Sequence, residues 1–450
     1  MDNFYKIKQG LNLRLKGVAE HSISRTIEAH EYALQPTDFT GITPRIVVKE
    51  GEHVLAGTPL FVDKATERIR FVSPVSGVIK AVERGERRKV LRVVITPDAV
   101  QAYKDFGPME PAKADAQQMV EFLSEAGLFA FLRQRPYDVI ATPTDTPKAI
   151  FVSAFSKMPL AADFTFTVKG QEEDFKLGIR ALSRIAKVHL GIAPEQVNTP
   201  ILPIPEAEVS QFSGPNPAGN VGVHINHVSP INKGETVWTM GAEAVIFVGR
   251  LMRTGKVDFT RTIAVAGSQV EKPAYVSVKV GAAIADIVKD NLKAAEHKQR
   301  IISGNPLVGE RTEEAGYLGA FATEVCVLPD GGDIDEAFGW IMPRMNQHST
   351  SRSYFSWLLP GKSYDTDCRI KGGERHMIMS AEYEKVFPMD IYPSYLVKAI
   401  LTGDIDRQEQ LGIYEVAPED FAVAEYVDSS KLELQRIVRE GLDILRKENA

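Results

Sequence analysis

Glu172-Glu-Asp-Phe-Lys-Leu-Gly-Ile-Arg-Ala-Leu-Ser-Arg-Ile-Ala-Lys187 is the stretch on which the fold turns. Phe175, Leu177, Ile179, Leu182, Ile185 and Ala186 recur at helical spacing and form one apolar stripe, so an amphipathic helix is predicted. Ala149–Ala154, upstream, reads as a buried strand, and Val188–Ile192, directly downstream, reads as another. A strand, a helix and a second strand of these lengths suit a parallel α/β unit with its helix packed on the sheet. Asp115–Phe122 adds a further run at helical spacing. Residues 106–257 are therefore predicted to form a parallel α/β domain.

Upstream the period changes. From about Gly10 to Pro97 the chain consists of short Val- and Ile-rich runs: Arg45–Lys49, Leu60–Val62, Ile69–Val72, Val78–Val82 and Val90–Ile95. Turn residues such as Gly51, Gly57, Pro74 and Gly85 separate them, which predicts a small barrel or sandwich over residues 1–105. Val48-Lys-Glu-Gly51-Glu-His-Val54-Leu-Ala-Gly57-Thr-Pro-Leu60, followed by Ser73-Pro-Val-Ser-Gly77, resembles the biotinyl/lipoyl carrier domain. Asp63-Lys64-Ala65 falls where that domain carries its lipoylated lysine. A carrier needs a flexible tether, and none is visible here, so a solvated Lys64 on a reused scaffold is the expectation.

Downstream, Thr262–Ala266 and Ala274–Val280 flank a turn at Glu271–Pro273, Ala282–Asp290 reads as a helix and Glu324–Leu328 as a strand. Together they predict a β-grasp domain over residues 258–330. Pro393–Leu401, Pro418–Val423 and Lys431–Lys447 read as helices, so residues 331–450 are expected to form an α-rich C-terminal domain.

Composition excludes several functions. The 450 residues are 44% hydrophobic and 25% charged, with a net charge of −6 and no basic tract, which argues against a nucleic-acid partner. The two cysteines, Cys326 and Cys368, can supply neither a disulfide framework nor the thiolates of an ordinary zinc or iron–sulfur site. Apolar runs such as Ala244–Val248 fall far short of the roughly 20 residues of a membrane span, and Met1–Lys16 lacks a signal-peptide centre. A cytoplasmic chain is expected, with docking onto a membrane partner open.

No Gly-x-Gly-x-x-Gly, Walker sequence or Gly-x-Ser-x-Gly elbow is present, so no nucleotide or hydrolase site announces itself. His224-Ile-Asn-His227 invites a metal reading. Gly222–Val228 alternates as a strand would, however, and that would point the two histidines to opposite faces. Structural or hydrogen-bonding histidines are the expectation. Phe212-Ser-Gly-Pro-Asn-Pro-Ala-Gly-Asn220, just before them, reads as a rigid loop.

Taken together, the segments resemble the A-subunit family of Na+-translocating NADH:quinone oxidoreductases over nearly the whole chain. The resemblance is carried by Ile7-Lys-Gln-Gly-Leu-Asn-Leu13, the loop Phe212–Pro230, Gly267-Ser-Gln-Val-Glu-Lys-Pro273, Ile302-Ser-Gly304 and Tyr383-Glu-Lys-Val-Phe-Pro-Met-Asp-Ile391. It implies an N-terminal barrel-sandwich, a Rossmann-like α/β domain, a β-grasp domain of the SLBB kind and an α-rich C-terminal region. It also implies a peripheral subunit on the cytoplasmic side of the membrane. Its partners would be the membrane subunits of a complex that passes electrons from NADH to ubiquinone or menaquinone and exports Na+. The family is similar to the NADH-binding flavoprotein of respiratory complex I and to the C-type component of the Rnf complex. Against the former, Ala126-Gly-Leu-Phe-Ala-Phe-Leu132 has side chains where glycines let the backbone approach flavin phosphate. Phe155-Ser-Lys-Met-Pro-Leu160 replaces an acidic dinucleotide-binding segment. The ferredoxin-type cysteines of the Rnf component are missing too. Neither FMN, NAD, an iron–sulfur cluster nor covalent lipoate is expected in this chain. Ala424 and Asp428 stand where many members carry a Cys-x-x-x-Cys pair.

What the resemblance leaves for this chain is the quinone. A quinone head group needs an apolar slot and one or two donors to its carbonyl oxygens. Phe129, Phe131 and Tyr137 are candidates for ring contact, Arg133 or Arg135 for a donor, and His224 or His227 for a donor to a reduced oxygen. For each residue the plainer alternative is an aromatic in the core or an arginine at the surface. For the whole chain the alternative is a docking subunit with no ligand of its own.

Overall fold

In the computed structural model, which describes residues 3–294, 298–332, 347–350 and 354–449, the predicted strand–helix–strand is the centre of a seven-stranded sheet. Ile150–Ser153 pairs in parallel with Val188–Ile192 on one side and with Val237–Gly241 on the other. Ala207–Ser213 continues the parallel order outward from Val188–Ile192. The short strands Arg133–Arg135 and Val139–Ile140 close the far edge antiparallel.

Alternation along the central strands assigns their two faces to different cores. Ile150 and Val152 join one apolar cluster, with Phe175, Ile179 and Val245, while Ala149 and Phe151 join a second, with Phe212, Val223 and Leu434. Helices Glu172–Leu182 and Ala242–Thr254 supply the first layer. They cross at two glycines. A Cβ on Gly178 would stand 2.1 Å from the Val245 carbonyl oxygen, and one on Gly249 would stand 1.7 Å from that of Asp174. The first helix stops at Leu182, short of the predicted Lys187, yet Ile185 and Ala186 still pack on the core.

The second layer corrects two expectations. Residues 331–450 do not form a domain with a core of their own. Among the described residues there, helices Pro393–Leu401, Ala422–Val427 and Leu434–Glu448 share the cluster on the second face of the sheet. Residues 333–346 and 351–353 of that expected domain lie outside the described residues. The segment around His224 is the helix Val221–Val228, not a strand. Its β-branched alternation mimics a strand, but burial of Val223, His224 and Ile225 against the sheet overrides that local preference.

The N-terminal barrel is built from Tyr32–Leu34, Val90–Pro97, Gly77–Arg84 and His53–Val54 in one sheet and Pro44–Ile46, Pro59–Asp63 and Arg70–Val72 in the other. Residues 1–105 are not all spent on it. Phe4–Lys6 adds a parallel edge strand beside Ala207–Ser213, and Glu20–Thr26 pairs with Ala274–Lys279. The latter belongs to a six-stranded mixed sheet. Its hairpin Thr260–Ala266/Ala274–Lys279 lies beside Glu324–Pro329, parallel to the first hairpin strand, as a β-grasp requires. The helix predicted there at Ala282–Asp290 is one short turn, Ile284–Val288.

Candidate functional site

Chain order makes the site. From Ile150–Ser153 the chain steps outward through Val188–Ile192 to Ala207–Ser213, then returns to lay Val237–Gly241 on the opposite side of its starting strand. That reversal is a topological switch point, where the connections leave the sheet on diverging paths and open a crevice beyond the carboxyl ends of the strands. Ser153 and Gly241 are the paired last residues of the two strands. Both line a cavity of about 290 Å³. Ligand pockets run from roughly 300 Å³ upward, so this one suits a small ring system.

Its walls are apolar and largely aromatic: Phe131, Phe155, Phe164 and Phe321, with Ala162 and Ala244. Phe131 is the hub of a set of rings drawn from several parts of the chain. Phe39 of the barrel lies 6.2 Å away between centroids, Phe247 5.9 Å, Phe259 5.7 Å and Phe321 5.4 Å. Such ring networks hold their members in fixed orientations.

Two buried charges stand in this apolar setting. Glu243, in the first turn of Ala242–Thr254, and Arg261, on Thr260–Ala266, are only 7% and 4% exposed. Arg261 Nε and Glu243 Oε2 lie 3.1 Å apart. Their relative orientation is not that of a hydrogen bond, and neither atom has another partner among the described residues. The rest of the guanidinium is fixed, because Nη1 donates to the carbonyls of Ala320 at 3.1 Å and Ala322 at 2.7 Å. Burial pushes the Glu243 carboxyl up to about 7 against the opposing pull of Arg261. Neighbouring Glu324 is buried as well and shifted upward for the same reason, while its Oε2 accepts from Thr323 Oγ1 and Ala162 N.

Beside this cavity runs a wider cleft of about 500 Å³, and the two share Phe321, Thr323 and Glu419 in their walls. The barrel contributes Asp38, the sheet edge Arg133 and Asp138, and the C-terminal helix Arg439. The turn at Tyr137 and Asp138 holds two consecutive left-handed residues, φ 78° and 50°, a strained arrangement for side chains of this size. Arg439 secures it by donating to the carbonyls of Tyr137 at 2.6 Å and Asp138 at 3.1 Å.

The residues singled out from the sequence separate sharply. Phe131 lines the inner cavity and Arg133 the outer cleft, where Arg133 donates to Asp138 Oδ2 at 2.7 Å. Phe129 is fully buried and packs edge-on against Trp238, so it is core. Tyr137 faces the end of the C-terminal helix, where Asn449 Nδ2 donates to its hydroxyl. Arg135 is no free donor. It is 1% exposed and donates to Asp420 Oδ2 at 2.8 Å, the Glu415 carbonyl at 2.6 Å and Glu419 Oε1 at 3.3 Å.

His224 lies behind the cavity wall. It stacks on Phe212 at 3.9 Å and Phe155 at 5.7 Å, and its Nε2 meets the Ala218 carbonyl at 2.9 Å. Burial lowers its pKa to about 4, so the ring is neutral. His227 turns back on its own helix, with Nδ1 2.9 Å from the Val223 carbonyl. Lys64 is exposed in the hairpin between two barrel strands, but its backbone N–H is tied to the Thr43 carbonyl at 2.7 Å.

Sequence reasoning passed over Glu243 and Arg261. The readable signal for the first is Trp238-Thr-Met-Gly-Ala-Glu243, a buried strand ending in glycine with an acid in the next helical turn. No local pattern marks Arg261.

The architecture thus defines a multidomain α/β protein in which a barrel-sandwich and a β-grasp sheet flank a parallel domain with a cavity at its switch point. Comparison with known proteins makes this specific: the chain belongs to NqrA, the A-subunit family of Na(+)-translocating NADH-quinone reductases. The family model of the NqrA N-terminal barrel-sandwich hybrid domain matches residues 5–98. That of the NqrA second alpha/beta domain matches 114–257, and that of the NQRA C-terminal domain matches 262–314. The Na(+)-translocating NADH-quinone reductase A-subunit of Photorhabdus laumondii is 36% identical over 452 residues, spanning 98% of this chain and 99% of the relative. Those of Hahella chejuensis and Neisseria meningitidis are each 35% identical, with the same coverage of both chains. No helix among the described residues is long and apolar enough to cross a membrane.

Proposed function

We propose that this chain works as a peripheral subunit, on the cytoplasmic side, of a Na+-translocating NADH:quinone oxidoreductase, and that it holds the head group of ubiquinone or menaquinone in the switch-point cavity. Electron transfer and Na+ export belong to the assembled complex; this chain positions the acceptor and takes neither NADH, FMN, an iron–sulfur cluster nor covalent lipoate of its own. The observation that carries the reading is an aromatic-walled slot with a buried Arg261 Nε–H unspent on any protein acceptor. A quinone offers a flat ring to such walls and a carbonyl oxygen to such a donor. Phe131 and Phe155 are the ring contacts in this reading, and Arg133 stands at the approach through the outer cleft.

The test is an equilibrium titration of the full chain with a short-chain quinone, observed through the ligand's NMR signals. Saturable binding that a second quinone displaces, weakened in Phe155→Ala, is the expected result. No binding up to the solubility limit in a folded chain overturns the reading. It would favour a docking subunit instead, for which the exposed Tyr392, Tyr395 and Leu401 on and beside one C-terminal helix are the specific support.

A further inference from the structure

The switch-point cavity contains more than a donor. At its inner wall an acid and a base present unspent hydrogen-bonding atoms to the same small volume, in surroundings that are otherwise rings and methyl groups. A buried ion pair whose members fail to satisfy one another is costly and is a poor way to gain stability. Here the pair is also held rigid. Glu243 sits on a 13-residue helix that starts directly from a central strand, and Arg261 is clamped by the Ala320 and Ala322 carbonyls. Neither side chain has freedom to turn away from the cavity.

We propose that Glu243 is the proton-exchanging group of this cavity, acting on one head-group oxygen of the quinone while Arg261 steadies the charge. The inference rests on the quinone reading above and deepens it. With its carboxyl protonated, Glu243 donates to a quinone carbonyl. When the complex delivers two electrons from NADH, the ring oxygens take up two protons. One comes from Glu243: its O–H bond breaks, a quinol O–H bond forms, and the carboxylate left behind is balanced by Arg261. The second proton comes from solvent in the adjoining cleft, and solvent also reprotonates Glu243. Ionised Glu243 accepts a hydrogen bond from a quinol hydroxyl, so the protonation state of one carboxyl selects between the two redox forms of the ligand.

The charged and titratable groups around Glu243 are Arg261 on Thr260–Ala266, Glu324 on Glu324–Pro329, Arg250 on its own helix and Tyr275 on Ala274–Lys279. Glu419 adds a fifth from the C-terminal region, at the shared wall of the two cavities. The upward displacement of the Glu243 carboxyl to about 7 agrees with the proposed role, since a proton-exchanging group works best when its pKa is near the working pH.

The experiment compares the affinities of the full chain for a short-chain ubiquinone and for its quinol, kept reduced under argon, between pH 5.5 and 8.5. In the unmodified chain the preference for quinone over quinol should fall by roughly tenfold as pH rises through 7, the linkage expected of one proton. Glu243→Gln should still bind both forms, with a preference independent of pH. The same pH dependence in Glu243→Gln overturns the proposal and leaves the quinone cavity standing. Absence of binding by both forms to the unmodified chain overturns the cavity reading and this proposal with it. Should Glu243→Gln not fold, the infrared difference spectrum of the unmodified chain replaces it. A protonated carboxyl band present with quinone and lost with quinol at pH 7 supports the assignment, and an unchanged band overturns it.

Discussion

Gly249→Ala tests the packing on which the site depends. Gly249 lies in the interior of Ala242–Thr254, where alanine should be favoured over glycine by about 1 kcal/mol. The structure predicts the opposite. The new methyl carbon would stand 1.7 Å from the Asp174 carbonyl oxygen, and ordinary contact begins at 3.4 Å, so the two helices must part by about 1.7 Å. The obstacle is backbone, and no rotamer relieves it. Separation loosens the packing of Phe175, Ile179 and Leu182 against Val245 and Val248, all at or near complete burial. Overpacking of this kind costs about 1–3 kcal/mol, and rigid backbone on both sides places this case at or above the upper end. After the propensity gain, the net loss is about 2–3 kcal/mol. In a domain of this size that corresponds to a fall in melting temperature of roughly 4–12 °C. Differential scanning fluorimetry of the full chain reads it, with Gly241→Ala as control because a Cβ there meets nothing within 4 Å. The same helix carries Glu243, so quinone affinity should fall as well. A Gly249→Ala chain that melts with the unmodified one would refute the close crossing.

Removing the carboxylate in Asp420→Ala strands a buried Arg135 guanidinium and should cost about 3–5 kcal/mol, seen first as faster hydrogen exchange in Leu434–Glu448; unaltered exchange there would deny the pair its role. Phe131→Ala should destabilise the chain by about 3–5 kcal/mol because five rings meet there, whereas Phe155→Ala, partly exposed at the cavity wall, should weaken quinone binding with a smaller loss of stability. Equal effects of the two on stability would count against this division. Glu243 titrates near 4.5 when unfolded and near 7 when folded, so the folded state holds the proton more tightly between those values and stability falls as pH rises through that window. The drop is about 3 kcal/mol, and a thermal scan of Glu243→Gln should show a correspondingly flatter pH dependence. An identical profile in the variant would assign the slope to other groups.

Local pattern carried much of this fold. The apolar stripe of Glu172–Leu182 and the Val- and Ile-rich runs at Pro59–Asp63, Gly77–Arg84 and Val90–Pro97 declare themselves because one buried face imposes its period on the residues. The hairpin Thr260–Ala266/Ala274–Lys279 is legible for the same reason. Motifs spread along the chain were enough to indicate the family. Where the local signal is ambiguous it misled: Val221–Val228 alternates like a strand, and only its seat between the sheet and the C-terminal helices makes it helical.

The site belongs to the other category. Phe131, Phe155, Glu243, Arg261 and Glu419 come from separate segments, and each has an ordinary local reading as a core ring, a first-turn acid, a strand cation or a surface carboxylate. Chain order around Ile150–Ser153 decides where the sheet opens. Packing decides that Phe129 becomes core while Phe131 reaches a cavity, and that Arg135 is consumed by Asp420 while Arg261 keeps a donor unspent. Sequence periodicity reports whether a side chain faces inward. Which groups it meets there depends on contacts between distant segments, and those exist only once the layers have closed on one another.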